Sequence, residues 1–171
     1  MNVILIGMPG AGKSCFGKIL SKKLGMKFLD GDKLIEKTVG KKLHEIIDEK
    51  GIENFKKIEE QVLLSIEEDG VVIAPGGSAI YYDSVMSKFK KNGIVVYLYA
   101  SSKTITERLG DFSMRGIVLD DGKSIEDLYH ERVPLFKKYA DYTVNCDGKA
   151  YSKYKNDLLK VVSRQLEKTD T

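Results

Sequence analysis

Tryptophan is absent from this 171-residue chain, cysteine and histidine occur twice each, and there are three prolines. Cys15 and Cys146 lie far apart with no CxxC spacing, and two histidines cannot complete a zinc cluster around them. The bland reading, reduced thiols in a cytosolic protein, is the one adopted. A composition of 42% hydrophobic and 31% charged residues, with so little proline, excludes collagen-like, low-complexity and disordered chains. Long apolar runs are missing too. Met1–Ile6 is too short for a signal peptide or a membrane span, so a cytoplasmic protein with no membrane partner is expected. Neither sign of charge dominates: 28 basic against 25 acidic residues leave +3. The basic runs Lys22–Lys23, Lys56–Lys57 and Lys137–Lys138 are short and mixed with acids. A nucleic-acid binder concentrates its excess in a stripe or patch, so that class is set aside. His44 and His130 read as surface or helix-face residues.

What is present is a chain of one-domain length, 1–171, long enough to bury roughly 70% of its unfolded surface. Val3–Ile6 is a β-branched run with the look of a central strand buried on both faces. A glycine-rich loop follows, then a helix over Lys13–Leu24 stopped by Gly25. A short strand, Lys27–Leu29, ends at Asp30, and Asp32 suits the N-cap of a helix over Lys33–Thr38. Further helices are expected over Leu43–Lys50 and Ile52–Glu68, the latter with an apolar stripe from Ile52 and Phe55 to Ile66. Val71–Ala74 is a third strand, followed by a helix near Ser84–Lys91. A fourth strand, Ile94–Tyr99, precedes a helix over Lys103–Leu109. Residues 110–124 read as a long functional loop, a lid. Helical segments at Ser124–Glu131 and Pro134–Tyr139 follow, with Pro134 suited to the first turn of the second. Tyr142–Asn145 is a fifth strand and Tyr151–Glu167 the last helix. Strands alternating with helices imply an α/β fold, a parallel sheet covered on both faces, with ligands at the carboxyl ends of its strands.

Gly7-Met8-Pro9-Gly10-Ala11-Gly12-Lys13-Ser14 matches G-x-x-x-x-G-K-[ST] in full. Its glycines let backbone N–H groups converge into an anion nest at a helix N-terminus. Lys13 can reach the β- and γ-phosphates of a nucleoside triphosphate, and Ser14 can ligate Mg²⁺. The strand before and the amphipathic helix after supply the context that such a loop requires. Gly10, Ala11, Gly12, Lys13, Ser14 and Cys15 are therefore the nucleotide-binding candidates, Cys15 as a small buried residue just inside the helix.

Five further segments bear on the function. They are Phe28-Leu29-Asp30-Gly31-Asp32, Gly51–Glu59, Ala74-Pro75-Gly76-Gly77-Ser78, Arg108–Val118, and Glu131-Arg132-Val133-Pro134-Leu135-Phe136 with Tyr139-Ala140-Asp141. With the phosphate loop they resemble the shikimate kinase family over about Asn2–Cys146. The resemblance implies a three-layer P-loop kinase fold with a five-stranded parallel sheet and a lid, and it implies ATP and Mg²⁺. It places Asp30 in the Mg²⁺ shell and Asp32 against the acceptor hydroxyls, where a carboxylate can accept a proton or position the hydroxyl. Gly76 and Gly77 would touch the acceptor through backbone. Arg132 would bind its carboxylate, and Arg115 would bring charge onto the transferring phosphate from the lid. Arg108 and the loop after Asn145 would meet the adenine.

The chain departs from the family at three places. Lys56 stands where the family has a carboxylate-gripping arginine, and a point charge replaces a planar fork. Ser78 replaces a third glycine, so that it either narrows the pocket or offers a hydroxyl to a different acceptor. Gly116 replaces a proline. Each residue also has a plainer reading: Asp30 as a turn former, Asp32 as a helix cap, Lys56 as a solvated cation, the arginines as surface charges or salt-bridge partners. The leading expectation is an ATP-dependent kinase of a small anionic hydroxy acid, shikimate by default, acting as a monomer. A gluconate-like hydroxy acid or polyol as acceptor, or a nucleotide switch with no acceptor, stands beside it.

Overall fold

The computed structural model describes residues 1–110 and 123–169. Strands β1 (Asn2–Ile6), β2 (Lys27–Asp30), β3 (Val71–Ala74), β4 (Gly93–Tyr99) and β5 (Tyr142–Asn145) form one parallel sheet in the order β2-β3-β1-β4-β5. Helices α1 (Lys13–Leu24), α2 (Gly31–Val39), α3 (Leu43–Lys50), α4 (Ile52–Leu64), α5 (Asp83–Asn92), α6 (Ser102–Leu109), α7 (Ile125–Tyr139) and α8 (Tyr151–Thr169) flank it, with a 3₁₀ turn at Ala79–Tyr81. The strands at the centre are buried on both faces because helices cover both, which is why β1 carries Val3, Ile4, Leu5 and Ile6 without a polar alternation. The main core gathers around these residues with Val72, Ile73, Val95, Val96 and Leu98. A smaller cluster, Ile35, Ile46, Phe55 and Val62, ties α2, α3 and α4 together. Among the described residues, no helix is long and apolar enough to cross a membrane.

Register sets the functional edge. Asp30 pairs with Ala74 across β2 and β3, and Ile4 pairs with both Ile73 of β3 and Val95 of β4. Three neighbouring strands therefore end side by side, so that Asp30-Gly31-Asp32, Pro75–Ser78 and the loop after Ile6 emerge together. The order turns at β1, which leaves β2 and β3 on one side and β4 and β5 on the other. That is the switch point where open α/β sheets take their ligands.

Several local expectations are corrected. The cap of α2 is Asp30, not Asp32: Asp30 is extended and its Oδ1 accepts from the Lys33 backbone N–H at 3.3 Å. The helix starts early because Gly31 packs on the next strand's exit, where a Cβ would lie 2.6 Å from the Pro75 carbonyl oxygen. α4 stops at Leu64 rather than Glu68. The two segments expected around Pro134 are one continuous helix, with Pro134 inside it and Ser124 closing a capping box with Asp127. Cys15 is exposed rather than buried, since the buried stripe of α1 runs through Phe16, Gly17, Leu20 and Ser21. Both cysteines are free thiols.

Candidate active site

A cleft of about 500 Å³ opens at the carboxyl edge of β1, β2 and β3. Its floor is the glycine-rich loop. The Ala11 N–H donates to the Met8 carbonyl at 3.0 Å, and Gly12 enters α1 at φ 102, in the left-handed region. A Cβ on Gly12 would also meet the Phe16 ring at 2.7 Å, so both backbone and space require glycine there. Lys13 folds back and donates to the carbonyls of Gly7 at 2.8 Å and Met8 at 2.9 Å. Burial lowers its ammonium to about 8; Asp32 and Asp30 counter that, while the Arg132 cation adds to it. The ammonium is thus held by two backbone carbonyls at a site whose N–H groups and helix end suit negative charge.

The Ser14 hydroxyl donates to Asp30 Oδ2 at 3.0 Å, which joins the end of the phosphate loop to the end of β2. Asp32 lines the cleft and is exposed to solvent there. Burial first, and then the Asp30 carboxylate, raise it to about 6, with Lys13 opposing and Glu59 and Glu36 adding. The two carboxylates of the Asp-Gly-Asp segment therefore have different tasks available. Asp30 is engaged by the Ser14 hydroxyl and the helix cap, whereas Asp32 is poised to exchange a proton near neutral pH.

Opposite Asp32 stand Gly76, Gly77, Ser78, Glu59 and Arg132. The backbone here is crowded: a Cβ on Gly76 would lie 3.1 Å from Asp32 Oδ1, and one on Gly77 would lie 2.8 Å from Arg132 Nη1. Arg132 is 4% exposed. Among the described residues no carboxylate forms an ion pair with it, and the neighbouring Glu131 turns to Lys123 at 2.8 Å. A guanidinium buried in a cleft wall without an ion pair is costly to keep there, and an anion entering the cleft would offset that cost. Glu59 contributes the opposite charge nearby. Burial raises its carboxyl above the ordinary range, against the hydroxyls of Tyr82 and Ser78 and the charges of Arg132 and Lys56.

Two of the departures take definite places. The Ser78 hydroxyl is not offered to the cleft but donates to Glu59 Oε1 at 2.7 Å, while Tyr82 donates to Glu59 Oε2 at 2.6 Å. Lys56 stands outside the ring of described residues that wall the cleft; it ion-pairs with Glu53 at 3.3 Å and is about one third exposed. On the other side of β1, Arg108 of α6 donates to the carbonyls of Gly10 at 3.3 Å, Cys146 at 2.6 Å and Gly148 at 2.9 Å. It also lies over the ring of Tyr151, 5.5 Å from its centroid. Cys15 lies in the cleft wall beside Ser14. Arg115, Gly116 and most of the expected lid lie outside the described residues.

Sequence reasoning assigned no role to Glu59, Tyr81 or Tyr82. The signal for Glu59 was there: it falls on the buried stripe of α4 between Phe55 and Val62, where an unpaired carboxylate is rare. The tyrosines carried none, because their partners come from α4 and α7. Among the described residues no group of three acidic, histidine or cysteine side chains could hold a metal unaided. One hydroxyl and one or two carboxylates suit Mg²⁺, which keeps waters and shares phosphate oxygens.

Comparison with known proteins bears on this geometry. The sequence model of the shikimate kinase family matches residues 9–163. A shikimate kinase of Sulfurihydrogenibium sp. is 35% identical over 96% of this chain and 99% of its own. One from Francisella tularensis subsp. novicida is 37% identical over 98% and 96%. Among solved structures, a shikimate kinase from Acinetobacter baumannii in complex with shikimate aligns at TM-score 0.87 and 30% identity, covering 96% of this chain and 93% of that one. A gluconokinase from Sinorhizobium meliloti aligns at TM-score 0.55 with 17% identity, which shows the fold alone.

Proposed function

Because the chain belongs to the shikimate kinase family, an ATP phosphotransferase acting on a hydroxyl group, we propose that its own cleft residues divide the phosphorylation of shikimate to shikimate 3-phosphate as follows. The observation that carries the assignment is that Asp32, Arg132, Gly76 and Gly77 share one cleft with Lys13, Ser14 and Asp30.

The loop Gly7–Ser14 cradles the ATP phosphates with its N–H groups, and Lys13 exchanges the carbonyls it now holds for phosphate oxygens. Ser14 and Asp30 would hold Mg²⁺, whose chemistry there would be neutralisation of phosphate charge. Arg132 receives the acceptor's carboxylate on the Nη1 that it holds over Gly77 in the cleft wall. Gly76 and Gly77 let the acceptor lie against backbone. The 3-hydroxyl then faces Asp32. Its oxygen attacks the γ-phosphorus, the bond from phosphorus to the ADP oxygen breaks, and the hydroxyl proton passes to Asp32. The transition state is loose, so placement and charge neutralisation contribute more than the base does. Arg108, held against the loop after β5, serves the nucleotide half together with Cys15. Lys56 supplies positive field toward the acceptor half. We place the protein in the cytoplasm as a single kinase domain and a monomer.

A coupled ADP-release assay with MgATP tests the reading, with shikimate, quinate and gluconate as parallel acceptors. Turnover of about 1–100 per second with shikimate is expected. ATP binding without shikimate-stimulated turnover would overturn it.

A further inference from the structure

Tyr81 is one of the two large hydrophobic side chains that the described fold leaves exposed, at 39%, and the mechanism above does not use it. It sits at the end of the 3₁₀ turn that follows Gly77 and Ser78. Its hydroxyl donates in a short hydrogen bond to Glu131 Oε1. The Tyr81 hydroxyl oxygen in turn accepts from Arg132 Nε at 3.3 Å, and the Arg132 guanidinium lies 5.4 Å from the centre of the Tyr81 ring. The other carboxylate oxygen of Glu131 takes Lys123 at 2.8 Å.

The direction of this chain is forced by chemistry. An ionised carboxylate can only accept, so the single Tyr81 proton must go to Glu131. The lone pairs of the tyrosine oxygen are then free to receive Arg132 Nε–H. Lys123 and the Tyr81 hydroxyl both lower the Glu131 carboxyl, which keeps it ionised. On the far side, Arg132 Nη1 projects over Gly77 into the cleft. An arginine whose Nε and guanidinium face are both held has already given up the torsional freedom that would otherwise be lost on binding a carboxylate.

We propose that Tyr81, oriented by Glu131, is a positioning residue that pre-sets the Arg132 guanidinium for the acceptor's carboxylate. The proposal rests on the reading of Arg132 given above. It assigns a specific task to a side chain that touches neither phosphate nor acceptor.

The test is steady-state kinetics with each substrate varied in turn, on Tyr81→Phe, Glu131→Gln, their double variant, and Arg132→Lys, with Arg132→Gln as a second reference should the lysine variant unfold. Thermal melts establish that each protein is folded. Tyr81→Phe keeps the ring and loses the hydroxyl. It is expected to raise the shikimate KM about three- to tenfold, the effect of one ordinary hydrogen bond, with kcat and the ATP KM within about twofold. Glutamine at 131 can donate as well as accept, so it no longer fixes the tyrosine proton, and the double variant should be no worse than Tyr81→Phe alone. An unchanged shikimate KM in Tyr81→Phe, while the Arg132 variants raise it, would overturn the proposal and leave the reading of Arg132 standing. Unchanged KM in folded Arg132 variants would overturn both. Equal rises in both KM values, or additive effects of the two substitutions, would mean a purely structural role and would also overturn it.

Discussion

Asp32→Asn should slow the enzyme and stabilise it at the same time. The wild-type carboxyl is raised to about 6, mainly by burial and then by Asp30. A group whose pKa is higher in the fold than in the unfolded chain favours folding while it is protonated in both states. That contribution is lost as pH rises through the folded value. Moving a carboxyl from 3.8 to about 6 corresponds to about 3 kcal/mol in a dry site. Cleft water still reaches Asp32, so screening reduces this to about 1 kcal/mol. Asparagine matches the neutral form at every pH. The variant should therefore melt about 2–4 °C higher than wild type at pH 8, with the difference fading below about pH 4. Turnover should fall about 100-fold, the low end for loss of a proton acceptor, because the transition state is loose. In the wild type, kcat/KM for shikimate should drop as pH falls through about 6, since only the ionised carboxyl can take the hydroxyl proton. Calorimetry at pH 4 and pH 8, beside the coupled assay, checks both halves. A variant less stable than wild type at pH 8, or a stability gain independent of pH, would refute the account of the Asp32 environment. Retained turnover would refute its role.

Arg108→Ala removes the group that gathers the carbonyls of Gly10, Cys146 and Gly148; titrating ATP should show its KM up about tenfold, the loss of one charge-assisted hydrogen bond, with the shikimate KM unmoved. Ser78→Ala strips a donor from a carboxylate only 2% exposed; urea unfolding at pH 8 should show a loss of about 1–3 kcal/mol. Because Glu59 already lies above its ordinary range and would rise further, that loss should shrink as pH falls through the raised folded-state range, where the carboxyl becomes protonated in wild type and variant alike. Gly12→Ala places a Cβ 2.7 Å from the Phe16 ring at a positive φ; fluorescent-nucleotide titration should find ATP binding lost or weakened more than tenfold, and the melting temperature should fall.

The sheet and the phosphate loop were legible because each of their signals is local. A β-branched run, a glycine and a basic-hydroxyl pair declare a strand, a turn and a helix start within a dozen residues. Strand order was not local. That Asp30 stands opposite Ala74 is a fact of pairing between segments more than 40 residues apart, and the contact between Asp32 and Gly76 follows from it. Asp30 and Asp32 exchanged capping roles because the close approach of Gly31 to Pro75 starts α2 early, a packing constraint invisible along the chain. Pro134 was read as a helix start because proline favours the first turn; the capping box at Ser124 begins the helix sooner and the proline is carried inside.

The departures from the family pattern divide in the same way. Ser78 reads from the sequence either as a side chain that narrows the pocket or as a hydroxyl offered to a different acceptor. In the fold it faces Glu59, a charge on α4 that needs donors because it is buried. A substitution that seemed to change what the cleft binds instead changes how the cleft holds itself together. On the proposed reading the same holds for Arg132: Tyr81, held by Glu131, occupies its Nε side and leaves the Nη edge to the acceptor. The phosphate loop depends less on such partners, since its N–H groups are set by backbone geometry. The acceptor half joins the backbone of Gly76 and Gly77 to charged side chains, and two of these, Glu59 and Arg132, are held by hydroxyls from a neighbouring element. On the proposed reading, specificity therefore depends on Ser78, Tyr81 and Tyr82, through the charges they hold, as well as on those charges themselves.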